Sequence, residues 1–213
     1  MLELYFSPGA CSFVPHVALE ATKAPFEPKL VKLHKGEQRS PEYLKLNPNG
    51  QVPVLAVDGK PLTQIVAICD YLDRTFPDAV LLPKDGWARS EALSRLAWMN
   101  NTVHPTFTHF FRPENFAASD AGRADIKAQA TAQFRRHLER IQEWIAGANP
   151  YWHGERISVH DAYAFVFLRW SGFMGIDPKS LPKYLRYIER VMQAPPVAAA
   201  LARERIGLDT YKG

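Results

Sequence analysis

The chain has 213 residues, of which 46% are hydrophobic and 23% charged, a composition that is ordinary for a globular protein with a sizeable core. It opens directly with strand-like sequence, so no signal peptide is expected, and its apolar runs are shorter than the roughly 20 residues that cross a bilayer. Its two cysteines are too few for a disulfide framework, which predicts a reducing, cytoplasmic location.

The formal net charge of +4 raises the question of a nucleic-acid partner. Basic residues are spread along the chain, and the pair Arg135-Arg136 is followed by Glu139 and Glu143 at helical salt-bridge spacing. This pattern is typical of solvated helix faces, so no nucleic-acid partner is expected. The excess of positive charge favours the attraction of a small anionic ligand instead.

The first stretch of the chain carries a cysteine at the mouth of a predicted helix. A short apolar strand (residues 2–6) leads into the turn Ser7–Ala10, and Cys11 and Ser12 then open a helix, with Ser12 as its predicted cap. Unpaired N–H groups at that position can lower a thiol pKa below its usual value of about 8.5. The alternative is that Cys11 is a small buried hydrophobe.

The first third of the chain reads as a small α/β unit. The strand, helix, strand order at its start is the signature of a parallel βαβ pair, and a hairpin at Asp58-Gly59 and one more helix follow. The predicted elements after the first helix are a strand at 26–33, a helix at 41–46, strands at 54–57 and 60–62, and a helix at 64–76.

The Val52-Pro53 bond precedes a predicted strand and follows a turn, which makes it a candidate for a cis peptide. A cis bond there would leave the backbone of Val52 free to pair with an extended peptide. The sequence pattern by itself does not choose between cis and trans.

From residue 77 onward the chain changes character. A stretch with two prolines and a glycine (77–87) reads as a linker, and helices are predicted at 88–111, 121–146, 158–170, 182–193 and 197–205. The predicted organisation is an α/β domain at 1–78, a linker at 79–88 and an all-α domain at 89–213.

Several residues of the helical half have mainly structural interpretations. Ser158 to Asp161 has the form of a capping box, and the apolar run 162–168 predicts a fully buried helix.

His104 precedes Pro105, which should kink or interrupt its helix. His104 and His109 are five residues apart, which is the wrong spacing for a metal pair on one helical face. An aromatic set either lines a pocket or belongs to the core: Trp98, Phe107, Phe110, Phe111, Trp170 and Phe173.

Taken together, these motifs resemble the cytosolic glutathione S-transferases, and most closely the bacterial beta class. The resemblance covers essentially the whole chain and rests on five segments, which are Ser7–Ser12, Asn47–Pro53, Val103-His104 with Phe107 and Arg112-Pro113, Ser158–Asp161, and Leu168–Trp170. It implies a thioredoxin-like N-terminal domain that holds glutathione, an all-helical C-terminal domain, a homodimer, and a detoxification enzyme that conjugates glutathione to hydrophobic electrophiles without a metal.

The resemblance also assigns roles to individual residues. Cys11 and His104 match residues beside the glutathione sulfur, with Ser12 as a second donor. Gln51, Val52 and a cis Pro53 would present backbone to the cysteinyl part of glutathione. Further residues match partners of the tripeptide ends, namely Gln64 and Ile65 at the γ-glutamyl end and Lys35 or a neighbour near the glycine carboxylate.

Two departures from the family pattern affect the expected site. Ile65 stands where serine or glycine is usual, so a hydroxyl partner of the γ-glutamyl carboxylate is missing, at a cost of roughly 1.5–3 kcal/mol. The segment from Trp98 to His104 is about three residues shorter than in better-known members, which affects the orientation of His104.

Two alternatives to conjugation stay open at this point. One is a glutathione-dependent thiol transferase or reductase that uses Cys11 as a redox nucleophile; because Val14 stands three residues after Cys11, a dithiol cycle is not available. The other is a catalytically weak binding protein with the transferase fold. This alternative is favoured by Ile65, which lacks the hydroxyl that is usual at its position.

Overall fold

A computed structural model describes residues 1–212 of the chain. The N-terminal unit contains a four-stranded sheet and three helices, as the sequence predicts. In chain order these elements are β1 (Leu2–Phe6), α1 (Phe13–Thr22), β2 (Phe26–Leu30), α2 (Pro41–Leu46), β3 (Val54–Val57), β4 (Lys60–Thr63) and α3 (Ile65–Thr75).

The sheet has the strand order β2-β1-β3-β4, with one parallel and two antiparallel pairs. β1 runs parallel to β2, with Leu2 opposite Phe26, and antiparallel to β3, with Leu2 opposite Val57. β3 and β4 form the predicted hairpin, and Asp58 and Gly59 at its tip both have positive φ. The predicted βαβ pair and hairpin are therefore confirmed, although β2 ends at Leu30, before the predicted residue 33.

The C-terminal unit is helical throughout its main elements. They are α4 (Gly86–Trp98), α5 (His104–Phe111), α6 (Asp120–Ile145), α7 (Val159–Phe173), α8 (Pro182–Met192) and α9 (Pro195–Glu204). α4 begins two residues before the predicted start because the Asp85 carboxylate accepts a hydrogen bond from the N–H of Ala88 and so caps an earlier turn. The residue limits of the two domains stay a prediction.

A single turn of π-helix, Met99–Val103, joins α4 to α5 immediately before Pro105. Pro105 has no N–H with which to continue the hydrogen bonds of an α-helix. The α-helical hydrogen-bond pattern is therefore interrupted next to Pro105, as the sequence predicts. The helical backbone nevertheless continues through His104 into α5.

Helix α7 is the centre of the helical unit and connects it to the sheet unit. Asp161 accepts hydrogen bonds from the backbone N–H and the hydroxyl of Ser158, which confirms the capping box. Every residue of the apolar run 162–168 is buried, and Phe165 packs against Phe13 of α1 with ring centroids 4.8 Å apart. One hydrophobic core therefore continues across both units, and Cys69 is part of it.

Among the helices of residues 1–212, none combines the length and the apolar character that crossing a membrane requires.

Candidate active site

A cavity of about 330 Å³ lies between the sheet unit and helix α5. It brings together most of the residues that the sequence analysis singled out, although they are far apart in the chain. The predicted residues that line it are Cys11, Gln51, Val52, Pro53, Gln64, Ile65 and His104. Ser12 and Lys35 are not among the lining residues.

Cys11 lies just before α1, and its thiol donates a weak hydrogen bond to the carbonyl oxygen of Val52, with Sγ and O 3.6 Å apart. The N–H groups of Cys11 and Ser12 favour a thiolate, but burial outweighs them and raises the pKa of the Cys11 thiol to about 12. The lowered pKa considered from the sequence is therefore wrong, because only 8% of the residue is exposed to water. At neutral pH Cys11 is a thiol that can donate a hydrogen bond.

The Ser12 hydroxyl holds the turn that precedes Cys11. It donates to the carbonyl of Ser7 at 3.2 Å and accepts from the N–H of Ser7 at 3.1 Å, and the residue is completely buried. Its backbone is already helical, and its side chain makes no capping hydrogen bond to α1. The prediction that Ser12 caps the helix is wrong because the hydroxyl bonds backward to the turn.

The Val52-Pro53 peptide bond is cis, which confirms what the resemblance implies. The segment before it is fixed through the carbonyl oxygen of Gln51, which accepts from the Tyr43 hydroxyl at 2.8 Å and from the Asn47 side-chain amide at 2.7 Å. With these contacts in place, the polypeptide at Gln51, Val52 and Pro53 forms one wall of the cavity.

The opposite end of the cavity is the start of α3. Gln64 precedes the helix with a φ of 71°, in the left-handed region, and Ile65 is its first residue. The first N–H groups of a helix have no carbonyl partner within it, so this end of the cavity suits an anion. The Ile65 side chain is only 3% exposed and packs in the core.

Lys35 ends the short 3₁₀ turn Leu33–Lys35, and its side chain is exposed to solvent outside the cavity. The structure therefore does not bring Lys35 together with the other predicted ligand-binding residues, and its role at the glycine carboxylate stays a prediction.

The orientation of His104 is set by a chain of hydrogen bonds. Its Nδ1 lies 2.9 Å from the hydroxyl oxygen of Tyr163, and that hydroxyl donates to Oδ1 of Asn100 at 3.3 Å. The amide of Asn100 is itself oriented, because its Nδ2 donates to Oδ1 of Asn101 at 2.8 Å. The arrangement in which Tyr163 gives its proton to Asn100 places a proton on Nδ1 of His104 and leaves Nε2 as an acceptor.

Burial lowers the pKa of His104 to about 4, so the imidazole is neutral at pH 7. Its ring also packs edge-on against Trp170, with centroids 4.9 Å apart. His104 is predicted from the sequence as a site residue, whereas its partners Tyr163 and Asn100 are not. The position of Asn100 depends on the π-turn, and no local sequence pattern predicts at which residues that turn occurs.

The turn that carries Cys11 is held from the other unit of the protein. The N–H of Gly9 donates to Oε2 of Glu204 in α9 at 2.8 Å, and the indole N–H of Trp170 donates to the carbonyl of Gly9 at 2.9 Å. The other carboxylate oxygen of Glu204 lies 2.8 Å from Nδ1 of His16, and both side chains are completely buried. The Arg169 guanidinium lies so close to Gly9 that a side-chain carbon there would come within 2.9 Å of it.

Sequence reasoning missed Glu204 because an acidic residue near the end of a predicted helix normally indicates a solvated position. Burial raises the pKa of this carboxyl, while the hydrogen bonds from His16 and Gly9 oppose that rise. These contacts fix the turn with respect to α7 and α9, and so fix Cys11 with respect to the cavity.

None of the six aromatic residues that the sequence left open between pocket and core lines this cavity. Phe107 and Trp170 are buried and stack on each other, with ring centroids 4.1 Å apart. For these two residues the structure therefore supports a role in the core. The aromatic residue that lines the cavity is Phe116, beyond the end of α5. Four more residues line the cavity, and these are Asn100, Pro105, Thr108 and His109.

Comparison with known proteins places these features in a family. Residues 1–74 match the model of the glutathione S-transferase N-terminal domain, and residues 98–195 match that of the C-terminal domain. The glutathione S-transferase GST-4.5 of Xanthomonas campestris is 36% identical over 205 residues, which is 95% of this chain and 98% of that protein.

Two solved structures are similar to the whole fold. A glutathione transferase homologue from Sulfitobacter with bound glutathione has a TM-score of 0.89 and 30% identity, and the match covers 97% of this chain and 99% of the other. A bacterial beta class transferase of Sphingomonas chungbukensis has a TM-score of 0.82 and 36% identity, with coverage of 95% and 98%. The chain belongs to the glutathione S-transferase family of enzymes, as its motifs indicate, and is similar to the bacterial beta class.

Proposed function

We propose that this enzyme conjugates the thiolate of glutathione to hydrophobic electrophiles in the cavity beside Cys11. The observation that carries the proposal is the convergence of a thiol donor, a wall of polypeptide at a cis proline, a helix N-terminus and a neutral imidazole on one cavity. These features come from Cys11, Val52, Ile65 and His104. The bound glutathione in the similar Sulfitobacter structure supports this choice of co-substrate.

The proposed mode of binding follows the walls of the cavity. The backbone of Val52 pairs with the cysteinyl part of the tripeptide, in the manner of an added strand. The start of α3 receives the γ-glutamyl carboxylate, and the side-chain oxygen of Gln64 accepts from its ammonium group. Gln51 and Pro53 hold the Val52 backbone in place. The exposed Lys35 supplies long-range attraction for the carboxylates of the ligand.

The proposed chemistry uses the two groups beside the sulfur in different ways. The glutathione S–H gives its proton to Nε2 of His104. The neutral Cys11 thiol turns its proton from the Val52 carbonyl oxygen to the thiolate that results, which frees that carbonyl for the tripeptide. A thiolate next to the imidazole raises the pKa of His104 above its value in the empty cavity, which favours this transfer. Buried Ser12 acts only by holding the turn, through its two bonds to Ser7.

The thiolate sulfur then attacks the electrophilic carbon of the acceptor and forms a C–S bond. In a substitution, the leaving group departs with the electron pair of the bond that breaks, and the imidazolium of His104 returns its proton to solvent. In an addition to an activated double bond, the carbanion that forms takes up that proton. Neither route needs an oxidant or a metal ion.

The state of Cys11 favours conjugation over the thiol transferase alternative. A redox nucleophile has to be a thiolate, whereas the pKa of Cys11 is about 12. Cys11→Ser is therefore expected to reduce conjugation only about fivefold to tenfold, since a hydroxyl still donates. Complete loss of activity in this variant, with activity toward glutathione mixed disulfides in the wild type, would favour the redox alternative instead.

The binding-protein alternative is tested by calorimetric titration with glutathione followed by a conjugation assay. We expect saturable binding below the millimolar range together with turnover of a chlorodinitrobenzene. Binding without turnover would identify a protein that has kept the fold and lost the activity. Family membership also leads us to propose a homodimer that acts in the cytoplasm in detoxification, and light scattering in solution tests the dimer.

A further inference from the structure

A second cavity of about 300 Å³ adjoins the first one. The two cavities share His109 and Phe116, whose rings meet edge-on with centroids 4.3 Å apart. Phe116 is 49% exposed, so its ring is an accessible apolar surface at the junction. A molecule longer than the first cavity can therefore continue past Phe116 into the second.

The far wall of the second cavity is one side of helix α6. Residues four apart lie on the same side of a helix, so its lining residues form two parallel rows. Ile126 and Ala130 form an apolar row, and Asp125, Gln129 and Gln133 form a polar row beside it. An elongated ligand lying along α6 would contact the apolar side chains of one row and the hydrogen-bonding side chains of the other.

Asp125 brings a carboxylate to the lining of this cavity, although the chain as a whole is basic. The cations nearest to Asp125 in sequence have other partners. Arg123 bonds to the carbonyl of Ala117 at 3.0 Å and pairs with Asp120 at 3.4 Å, and the ammonium of Lys127 lies over the ring of Phe110, 5.6 Å from its centroid. Asp125 is itself exposed, so its carboxylate is accessible to a ligand.

We propose that the second cavity is a subsite for the distal part of the electrophile, and that it selects elongated acceptors with an apolar body and a cationic end. This inference rests on the proposed conjugation. It assigns Phe116 to the apolar body, the row of Ile126 and Ala130 to its continuation, and Asp125 to the cation. The subsite contributes specificity and takes no part in the chemical step.

The test compares two acceptors that differ only in charge. Both are chlorodinitrobenzenes with the same alkyl tail, which ends in trimethylammonium in one and in the isosteric tert-butyl group in the other. An exposed ion pair predicts that the wild type favours the cationic acceptor about twofold to fivefold in kcat/KM. In Asp125→Asn this ratio should fall to about one. Glu139→Gln, an exposed acidic position on the same helix and outside both cavities, is the matched control and should keep the wild-type ratio.

A second variant tests the route rather than the charge. Gln129→Trp places a bulky side chain at an exposed position on the cavity wall, where the fold tolerates it. It should lower kcat/KM for both tailed acceptors relative to the tail-less chlorodinitrobenzene.

The outcomes separate the two proposals. Equal rates for the cationic and neutral tails in the wild type, or a preference that survives Asp125→Asn, would overturn the subsite while conjugation stands. Failure of the wild type to turn over even the tail-less acceptor with glutathione would overturn the proposed function itself.

Discussion

The backbone N–H of Gly9 donates a hydrogen bond to the carboxylate of Glu204 at 2.8 Å, although 195 positions separate the two residues. Gly9 lies in the turn before Cys11, and Glu204 ends the last helix. A contact between the two ends of the chain therefore sets the position of the thiol, and the two units of the protein form the site together.

This contact leads to a prediction about stability. Glu204→Ala leaves the N–H of Gly9 and the ring of His16 without their buried acceptor, and each unsatisfied group costs about 1–3 kcal/mol. The free energy of unfolding, measured by urea denaturation, should fall by about 2–5 kcal/mol. Glu189→Ala, at an exposed position on α8, is the control and should change it by less than about 0.5 kcal/mol. A similar small change in Glu204→Ala would show that the contact does not hold the units together.

A second prediction concerns the hydrogen-bond chain behind His104. Tyr163→Phe removes the oxygen that accepts from Nδ1 of His104. Without that hydrogen bond, the proton is no longer held on Nδ1, and Nε2 is no longer kept unprotonated as the acceptor. We expect kcat for conjugation to fall about tenfold, with the KM for glutathione changed less than about twofold, since the variant affects proton transfer rather than binding.

The control for that prediction is Tyr184→Phe, which also removes a buried hydroxyl. The Tyr184 hydroxyl bonds to the carbonyl of Ala164 at 2.9 Å, and Tyr184 does not line the cavity. If both variants lower kcat equally, the effect of Tyr163→Phe is a general loss of core stability and not an effect on His104.

The buried histidines predict how stability depends on pH. Burial lowers the pKa of His160 to about 3 and that of His104 to about 4, and Nε2 of His160 bonds to the carbonyl of Ala92 at 2.8 Å. In the unfolded chain both would take up a proton near pH 6.5. The unfolded state therefore binds more protons below that pH, and stability should decrease as the pH falls from about 6.5 toward about 4.

Urea unfolding at a series of pH values measures this dependence. Each of the two histidines contributes up to about 1.4 kcal/mol per pH unit across the window. His160→Gln should lower stability at pH 7 and also make the pH dependence shallower. An unchanged slope in His160→Gln would contradict the assignment of this histidine as a buried neutral group.

The start of α3 supplies a prediction about affinity. Ile65→Ser adds a hydroxyl at the cavity end proposed for the γ-glutamyl carboxylate, and a hydrogen bond to a charged group is worth about 1.5–3 kcal/mol. The Kd for glutathione, from calorimetric titration, should fall about tenfold. Because Ile65 packs in the core, the thermal midpoint should fall in the same variant.

Val66→Ser, one position further along α3, is the control for affinity because Val66 packs against the core without lining the cavity. It should not tighten binding. An unchanged Kd in Ile65→Ser would show that the γ-glutamyl carboxylate does not bind at the start of α3.

Patterns local to the chain predicted most of the fold. The apolar strand at residues 2–6, the turn at Asp58-Gly59 and the capping box at Ser158 each depend on residues close in sequence, and the structure confirms all three. The cis bond at Val52-Pro53 was left open by the residues themselves and was implied only by the resemblance to a family. The structure agrees with the family.

What the sequence could not predict depends on contacts between distant segments. The pKa of Cys11 is raised because the thiol is buried in the packed structure, and a helix N-terminus considered by itself predicts the opposite direction. The partnership of Glu204 with Gly9 and that of Tyr163 with His104 have no local signal. The sequence leaves open, for the same reason, whether the aromatic set lines a pocket or belongs to the core, since only the packed structure shows that Phe107 lies in the core while Phe116 lines the cavity.

The central claim is that the sulfur of glutathione binds beside Cys11 while its backbone pairs with Val52. A crystal structure of the protein with glutathione soaked in tests this most directly. We predict the ligand sulfur within about 4 Å of the Cys11 sulfur, with hydrogen bonds between the cysteinyl amide group and the backbone of Val52. Glutathione bound away from this cavity, or a cavity that stays without the tripeptide at saturating concentration, would contradict the account.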